Sequence, residues 1–270
     1  MLLGGFDGLH TGHRRLLSRA KESGLPVGVM TIAGGKGESL FTIQERERIF
    51  QTSGADFAFE LSFDEIKGIP AQAFLDILTK EFFPKLFLCG EDFRFGAGAT
   101  GTPESIEKYT GVPTEVHALV EWQGEKISSR NVKTLLRGGQ IEQANALLGE
   151  PFFLCGEVFR DRGVGRTINF PTANVLYPQE KFPLKIGVYE TRVLAKGAWY
   201  KGVTNYGARP TFDNEKVLTE SYLDGFSGDL YGENIQIRFV RFLRDVQKFA
   251  SVSALQAQLT EDIRRVKEHD

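Results

Sequence analysis

The spacing of apolar residues changes rhythm once along this chain, near Leu148-Gly149, and that change excludes a single uniform architecture. Before it, short apolar runs alternate with helical patterns. Leu2-Leu3 leads into a glycine-rich turn, and a helix opens at Gly12-His13 with Leu16, Leu17 and Ala20 on one face. Val27 to Thr31 reads as a strand, and Thr42 with Glu45 forms a capping box ahead of an Ile43–Phe50 helix. Further strands are expected at Phe57–Leu61, Leu86–Cys89 and Val116–Val120, with helices at Ala71–Leu78 and Ser128–Leu136. Such alternation implies a parallel sheet with helices on both faces, where ligands sit outside the carboxyl ends of the strands. After the change the runs alternate with period two. Val188, Glu190 and Arg192 oppose Tyr189, Thr191 and Val193; Ile235, Ile237 and Phe239 oppose Gln236, Arg238 and Val240. No helical pattern returns until Ser253–Val266, which predicts a small antiparallel barrel closed by a C-terminal helix. A length of 270 residues suits two domains, divided as 1–149 and 150–270 with the helical stretch Ile141–Leu147 as linker.

Composition narrows the partners. Lys plus Arg number 33 and Asp plus Glu 35, so 33 − 35 gives a net charge of −2, and the basic field of a general nucleic-acid binder is absent. The 2 cysteines, Cys89 and Cys155, are too few for a disulfide framework or a zinc site, which makes a reducing, cytoplasmic compartment the default. No apolar run approaches the ~20 residues that cross a bilayer, and no basic segment leads into an apolar stretch as in a secretory signal. Neither nucleic acid nor membrane is an expected partner, and nothing in the sequence indicates an oligomeric state.

Two segments carry chemistry. In the first, Gly5-Phe6-Asp7-Gly8-Leu9-His10-Thr11-Gly12-His13 follows a strand and opens a helix. A helix N-terminus suits phosphate, Gly12 allows close backbone approach, and His13 in the first turn could donate to an α-phosphate as charge grows on it. The plainer reading has Asp7 and the glycines shaping a turn beneath surface histidines; a metal site lacks further ligands nearby. In the second, Gly163, Gly165 and Arg166 could cradle phosphate. Thr172 and Asn174, two apart in an extended stretch, project to one side and suit a hard Mg²⁺ ion, unless they form a turn after Pro171. Period two places Glu220 on one face with Leu218 and Tyr222, where a carboxylate is costly unless paired or used as a general base; the alternative is a solvent face.

The first segment resembles the H-x-G-H motif of the nucleotidyltransferase superfamily. Gly90-Glu91-Asp92-Phe93-Arg94-Phe95-Gly96 resembles the G-x-D-F-R-F-G stretch of its flavin-adenylating branch, and Ile127-Ser128-Ser129 the start of that branch's I-S-S-T-x-I-R segment. Read locally, Ser128 or Ser129 could also be a helix N-cap. Gly156-Glu157-Val158, Gly163, Gly165-Arg166, Phe170-Pro171-Thr172-Ala173-Asn174, Gly187-Val188-Tyr189, Asn205-Tyr206-Gly207-Ala208-Arg209-Pro210-Thr211-Phe212, Glu220, Leu230-Tyr231-Gly232, Leu243-Arg244-Asp245 and Phe249 are similar, in order, to the riboflavin kinase module. The whole chain thus resembles the bacterial bifunctional riboflavin kinase and FAD synthetase family.

That resemblance implies two reactions with ATP as substrate and Mg²⁺ as cofactor. Riboflavin becomes FMN in the barrel, with Glu220 taking the hydroxyl proton while Thr172, Asn174, Gly163, Gly165 and Arg166 place metal and phosphates. FMN becomes FAD in the sheet domain, with His10 and His13 on the transferring group and Gly5, Asp7, Gly12, Ser128, Ser129 and Lys133 towards ATP and its phosphates. Asp92, Phe93, Arg94 and Arg244 are implied near the flavin. The chain departs from the family where T-F-x-P-H-P is replaced by Thr31-Ile32-Ala33-Gly34-Gly35-Lys36-Gly37, and where Arg130, Asn131 and Lys133 stand after the serines, Lys133 keeping charge without the guanidinium fork. These departures predict slower FAD than FMN formation. The alternatives are a riboflavin kinase with a vestigial first domain, and a flavin-binding protein without turnover.

Overall fold

A computed structural model describes residues 1–34, 37–160, 170–209 and 216–269. The chain divides into two compact units, Met1–Val132 with Leu147–Gly149, and Lys133–Ala146 with Glu150–Asp270.

The first unit begins β1 (Leu2–Leu3), α1 (Thr11–Glu22), β2 (Gly28–Ala33), α2 (Ile43–Ser53), β3 (Phe57–Ser62), α3 (Phe63–Ile66) and α4 (Ala71–Phe82). It continues with β4 (Phe87–Gly90), α5 (Pro103–Thr110), β5 (Thr114–His117), the short strands β6 (Glu121–Trp122) and β7 (Glu125–Lys126), and the start of α6 (Ser129–Gly138). Five strands form a sheet in the order β3-β2-β1-β4-β5, all neighbours parallel. Leu3, Met30 and Cys89 face Phe74, Leu75 and Leu78 of α4 and Ile106 of α5. Leu2, Val29 and Leu88, paired in the same register, turn to the opposite face, on the side of α1. The capping box at Thr42 and Glu45 is present and starts α2. The order reverses direction at β1: β2 lies on one side of it and β4 on the other. Loops leaving the carboxyl ends of β1 and β4 therefore diverge, which is where an open α/β sheet makes its ligand crevice.

The fifth strand ends at His117, short of the expected Val120, and residues 121–126 form a separate antiparallel hairpin. Gln123 and Gly124 at its tip have φ of 53° and 81°, the paired positive values of a two-residue hairpin turn.

The second unit contains the rest of α6, α7 (Ile141–Leu148) up to Ala146, β8 (Phe153–Glu157), β9 (Thr172–Leu176), β10 (Gly187–Ala195), β11 (Ala198–Arg209), β12 (Lys216–Leu223), β13 (Asn234–Arg244) and α8 (Val252–Glu268). Its antiparallel sheet has the order β8-β13-β10-β11-β12-β9. A bridge between Phe159 and Asn174 brings the two edges together into a nearly closed barrel. Gly156 permits that closure, because a Cβ there would meet Val175 Cγ1 at 2.4 Å. The expected linker helix is anchored to this unit: Asn145 donates to Phe239 O at 2.8 Å and accepts from Phe152 N at 2.8 Å.

The barrel differs from its sequence pattern in which face lies deepest. On β12 the most buried side chains are Thr219 and Ser221, both 0% exposed, rather than those of the Leu218/Glu220/Tyr222 face. Hydrogen bonds make this possible: Thr191 to Thr204 and Thr204 to Ser221 are each 2.8 Å, and Thr219 Oγ1 donates to Val175 O at 3.3 Å. A buried polar group costs little once hydrogen-bonded.

Candidate active sites

In the first unit the β1–α1 loop brings both histidines together. His10 is the N-cap of α1, and its Nδ1 accepts from His13 N–H at 3.3 Å. The two rings stack with centroids 3.6 Å apart and planes 16° from parallel. Gly12 lies tight against them, since a Cβ there would come within 3.2 Å of the His10 ring. The same contacts set the tautomers. His13 Nδ1 lies 2.7 Å from Gly8 O, which can only accept, so Nδ1 carries the proton and Nε2 of the neutral ring is bare. His10 uses Nδ1 as acceptor, so its proton sits on Nε2. Burial, with the His13 ring beside it, lowers His10 from 6.5 to about 2. Burial lowers His13 to about 4, against the opposing pull of the Gly8 carbonyl, Asp92 and Asp7. Both imidazoles are thus neutral near pH 7.

The loop before them is strained. Phe6, 1% exposed, has φ of 37°, a left-handed value unusual for a bulky side chain and costing about 1–3 kcal/mol. Asp7 Oδ1 accepts from Leu40 N at 2.8 Å, tying this loop to the segment after β2.

The β4 loop supplies Asp92, whose carboxylate pairs with Lys126 of the β6–β7 hairpin. Both charges act on the histidine pair: Asp92 favours protonation of His13, and Lys126 opposes protonation of both rings. Phe93 instead packs in the core, 8% exposed and stacked 5.5 Å from Phe95, while the Arg94 guanidinium donates to Glu91 O and Phe93 O. Ser128 caps α6 by accepting from Asn131 N at 3.3 Å, and Ser129 is the first residue of that helix. Lys133, one turn on, falls in the second unit, with its ammonium 5.6 Å from the centre of the Phe182 ring.

In the second unit, strand register gathers the candidate residues on one face. Glu220 on β12 lies directly opposite Asn174 on β9, and Tyr222 opposite Thr172. Opposite residues share a face, so Thr172, Asn174 and Glu220 belong to one surface. Asn205 on β11 stands opposite Glu220 on its other side. Glu220 is half-buried; Asn174 is 7% exposed, and its Oδ1 is buried without a hydrogen-bond partner. Phe170 meets the Tyr222 ring edge-on at 5.8 Å. Arg244 is engaged elsewhere, forking onto the fully buried Asp262 of α8 at 2.7–3.1 Å. Gly163, Gly165 and Arg166, and likewise Pro210, Thr211 and Phe212, lie outside the described residues.

Two family models match most of the chain: FAD synthetase over residues 1–131 and riboflavin kinase over 148–269. The bifunctional riboflavin kinase/FMN adenylyltransferase of Escherichia coli (strain K12) is 36% identical, the match covering 97% of this chain and 90% of that one. The chain belongs to this family. A bifunctional riboflavin kinase/FMN adenylyltransferase of Mycoplasma pneumoniae is 30% identical over 99% of this chain and 96% of its own. A Streptococcus pneumoniae crystal structure, described as a macrolide-efflux protein, matches with a TM-score of 0.90 and 29% identity, covering 100% of this chain and 93% of that one. Among the described residues here, no helix is long and apolar enough to cross a membrane.

Lys126 lies outside the family motifs, and Phe6, Asn205 and Thr31 stand within the quoted segments with no role assigned to their side chains. Gln123-Gly124 was the available signal for Lys126, marking a hairpin that would return it beside the β4 loop. The pairing of Asn205 with Glu220 becomes visible only once β11 and β12 are in register.

Proposed function

We propose that the second unit transfers the γ-phosphoryl group of ATP to the 5′-hydroxyl of riboflavin, giving FMN and ADP. The first unit then transfers the adenylyl group of a second ATP to FMN, giving FAD and pyrophosphate. The shared face of Thr172, Asn174 and Glu220 carries the first assignment: a carboxylate stands beside two oxygen donors. Glu220 accepts the proton as the ribityl oxygen attacks phosphorus. The unpartnered Asn174 Oδ1 fits a hard cation, so Thr172 and Asn174 would hold Mg²⁺, which when bound neutralises phosphate charge. Gly163, Gly165 and Arg166 are assigned to the nucleotide phosphates from the sequence motif.

In the adenylyl transfer a phosphate oxygen of FMN attacks the α-phosphorus of ATP, and the P–O bond to pyrophosphate breaks. His10 donates from Nε2 as a neutral imidazole, and His13 donates from Nε2 once the negative charge of bound ATP beside it has raised its proton affinity. Gly5, Asp7 and Gly12 shape the phosphate-side loop. Ser128 and Ser129 offer the N-terminus of α6 to the leaving pyrophosphate. Asp92, Arg94 and, through the shape it gives this loop, Phe93 belong to the flavin side; Arg244 borders the barrel's flavin. Lys133 lies over Phe182 and lacks the fork of an arginine, so FAD forms more slowly than FMN. Apart from Lys133, each reaction draws its described residues from one unit, which supports a division into 1–149 and 150–270 with Ile141–Leu147 as the linker.

Incubation with riboflavin, ATP and Mg²⁺ followed by product chromatography tests this. Wild type accumulates FMN ahead of FAD. Glu220→Gln lowers FMN formation by about 10²–10⁴-fold while still converting supplied FMN to FAD. A kinase rate in Glu220→Gln equal to wild type would remove the carboxylate from this role.

A further inference from the structure

A hydroxyl that no part of the reaction scheme uses lies beneath the histidine loop. Thr31 of β2 is 3% exposed, and its Oγ1 donates to Gly5 O at 3.0 Å, with Phe6 O at 3.4 Å. The next backbone N–H, that of Ile32, also reaches Gly5 O, at 3.4 Å. These are the two carbonyls that flank the left-handed Phe6. The Phe6 ring packs 4.5 Å from the centre of the His13 ring. Gly4 leaves it room, because a Cβ there would meet the Phe6 ring at 2.8 Å. We infer that Thr31 is a positioning residue for the adenylyl transfer: its hydroxyl pins the Gly5 and Phe6 carbonyls, and so holds the Phe6 ring as the wall that sets the His13 imidazole.

The physical case rests on what would hold this turn otherwise. A bulky residue at positive φ persists only where its surroundings over-determine it. Gly5 is open on its Cβ side, where no atom lies within 4 Å, so packing there supplies no restraint. The Thr31 hydroxyl and the Ile32 amide are the described contacts to the Gly5 carbonyl, and both come from β2. Position matters for His13 because it acts on a reacting group, where a displacement of about 1 Å can cost about 10²-fold in rate.

The inference rests on the proposed adenylyl transfer for its kinetic effect, but not for its effect on the His13 ring. Thr31→Val keeps the shape and removes the hydroxyl; Thr31→Ser keeps the hydroxyl. Gly4→Ala leaves Thr31 intact and displaces the Phe6 ring directly. Two measurements are made on the full chain: FAD formation from FMN and ATP, with FMN formation from riboflavin as the control for folding, and the imidazole titration of His13 by ¹⁵N NMR. The groups facing that ring are His10, the Phe6 ring, the Gly8 carbonyl, Asp7, Asp92 and Lys126, and none of these residues is substituted in the variants. Thr31→Val should lower kcat for FAD by about 10–10²-fold, leave KM for ATP within about 3-fold, and raise the His13 midpoint by about one pH unit or more as water enters. Thr31→Ser should recover most of both, and Gly4→Ala should reproduce the His13 shift. Should wild type form no FAD, the adenylyl transfer fails, and the titration alone still decides the positioning role. An unchanged His13 midpoint in Thr31→Val overturns the inference, whether or not Gly4→Ala shifts it.

Discussion

The stacked pair of His10 and His13 makes stability depend on pH in a predictable direction. Both rings are held neutral by burial, at about 2 and about 4 against an ordinary 6.5. The unfolded chain therefore binds protons on them that the folded chain refuses. Their contribution to stability is complete above about pH 6.5 and declines as pH falls towards 4, by up to about 1.4 kcal/mol per pH unit for each ring. His10→Asn separates the histidine effect, because asparagine keeps the capping acceptor for α1 and does not titrate. Urea midpoints at pH 7.5, 6 and 5 should fall less steeply in His10→Asn than in wild type. Equal slopes would mean that the His10 ring is protonated or exposed in the folded chain. The neutral state has a catalytic side as well. In the proposed transfer, a donor that keeps its Nε2 proton without carrying a charge can approach ATP across a wide pH range, so FAD formation should not decline at pH 6 through loss of His10.

Among the elements, α8 is held to the barrel by a buried carboxylate rather than by apolar contact alone. Asp262 is 0% exposed and receives the Arg244 fork from β13 and Gln258 Nε2 at 2.9 Å. Val266 and Ile263 add a small apolar cluster against Val188 and Val203. Arg244→Ala strips the carboxylate of its cation inside the fold and should cost about 3–5 kcal/mol; Arg244→Ala with Asp262→Ala should recover part of that. Urea unfolding of the three proteins measures it, and a single variant within 1 kcal/mol of wild type would show the pair to be solvated. Arg244 also illustrates what a linear motif conceals. Its place in a family segment suggested a flavin contact, and the structure adds an aspartate partner on a helix whose docking no local pattern specifies. Elements defined by long periodicity were legible: α2, α4, β10, β13 and α8 follow from the spacing of their apolar residues and from one capping box. The β6–β7 hairpin and the depth of Thr219 and Ser221 were not. The first rests on a two-residue turn, and the second on hydroxyls that find their partners on neighbouring strands only after the strands have found their register.

At the scale of the molecule, two units with distinct candidate residues imply two reactions that share a diffusible intermediate. His10, His13, Asp92 and Ser128 all belong to the first unit, and Thr172, Asn174 and Glu220 to the second. Motif order along the chain made that division readable, whereas the assignment of Lys133 to the second unit required the structure, because α6 crosses the boundary between them. If each reaction is completed by its own unit, defects in the two should complement in solution. Glu220→Gln loses FMN formation and keeps adenylyl transfer. His13→Asn keeps FMN formation and loses about 10²–10³-fold of the adenylyl transfer, the usual worth of one donor to developing charge. Either protein alone, given riboflavin and ATP, should make little FAD. An equimolar mixture should make it after a lag, as FMN released by His13→Asn reaches the histidine loop of Glu220→Gln, and the lag should shorten when FMN is added at the start. Failure of the mixture, with each protein still carrying out its surviving half-reaction, would mean that FMN does not pass through solution and that one chain must supply both sites to a retained intermediate.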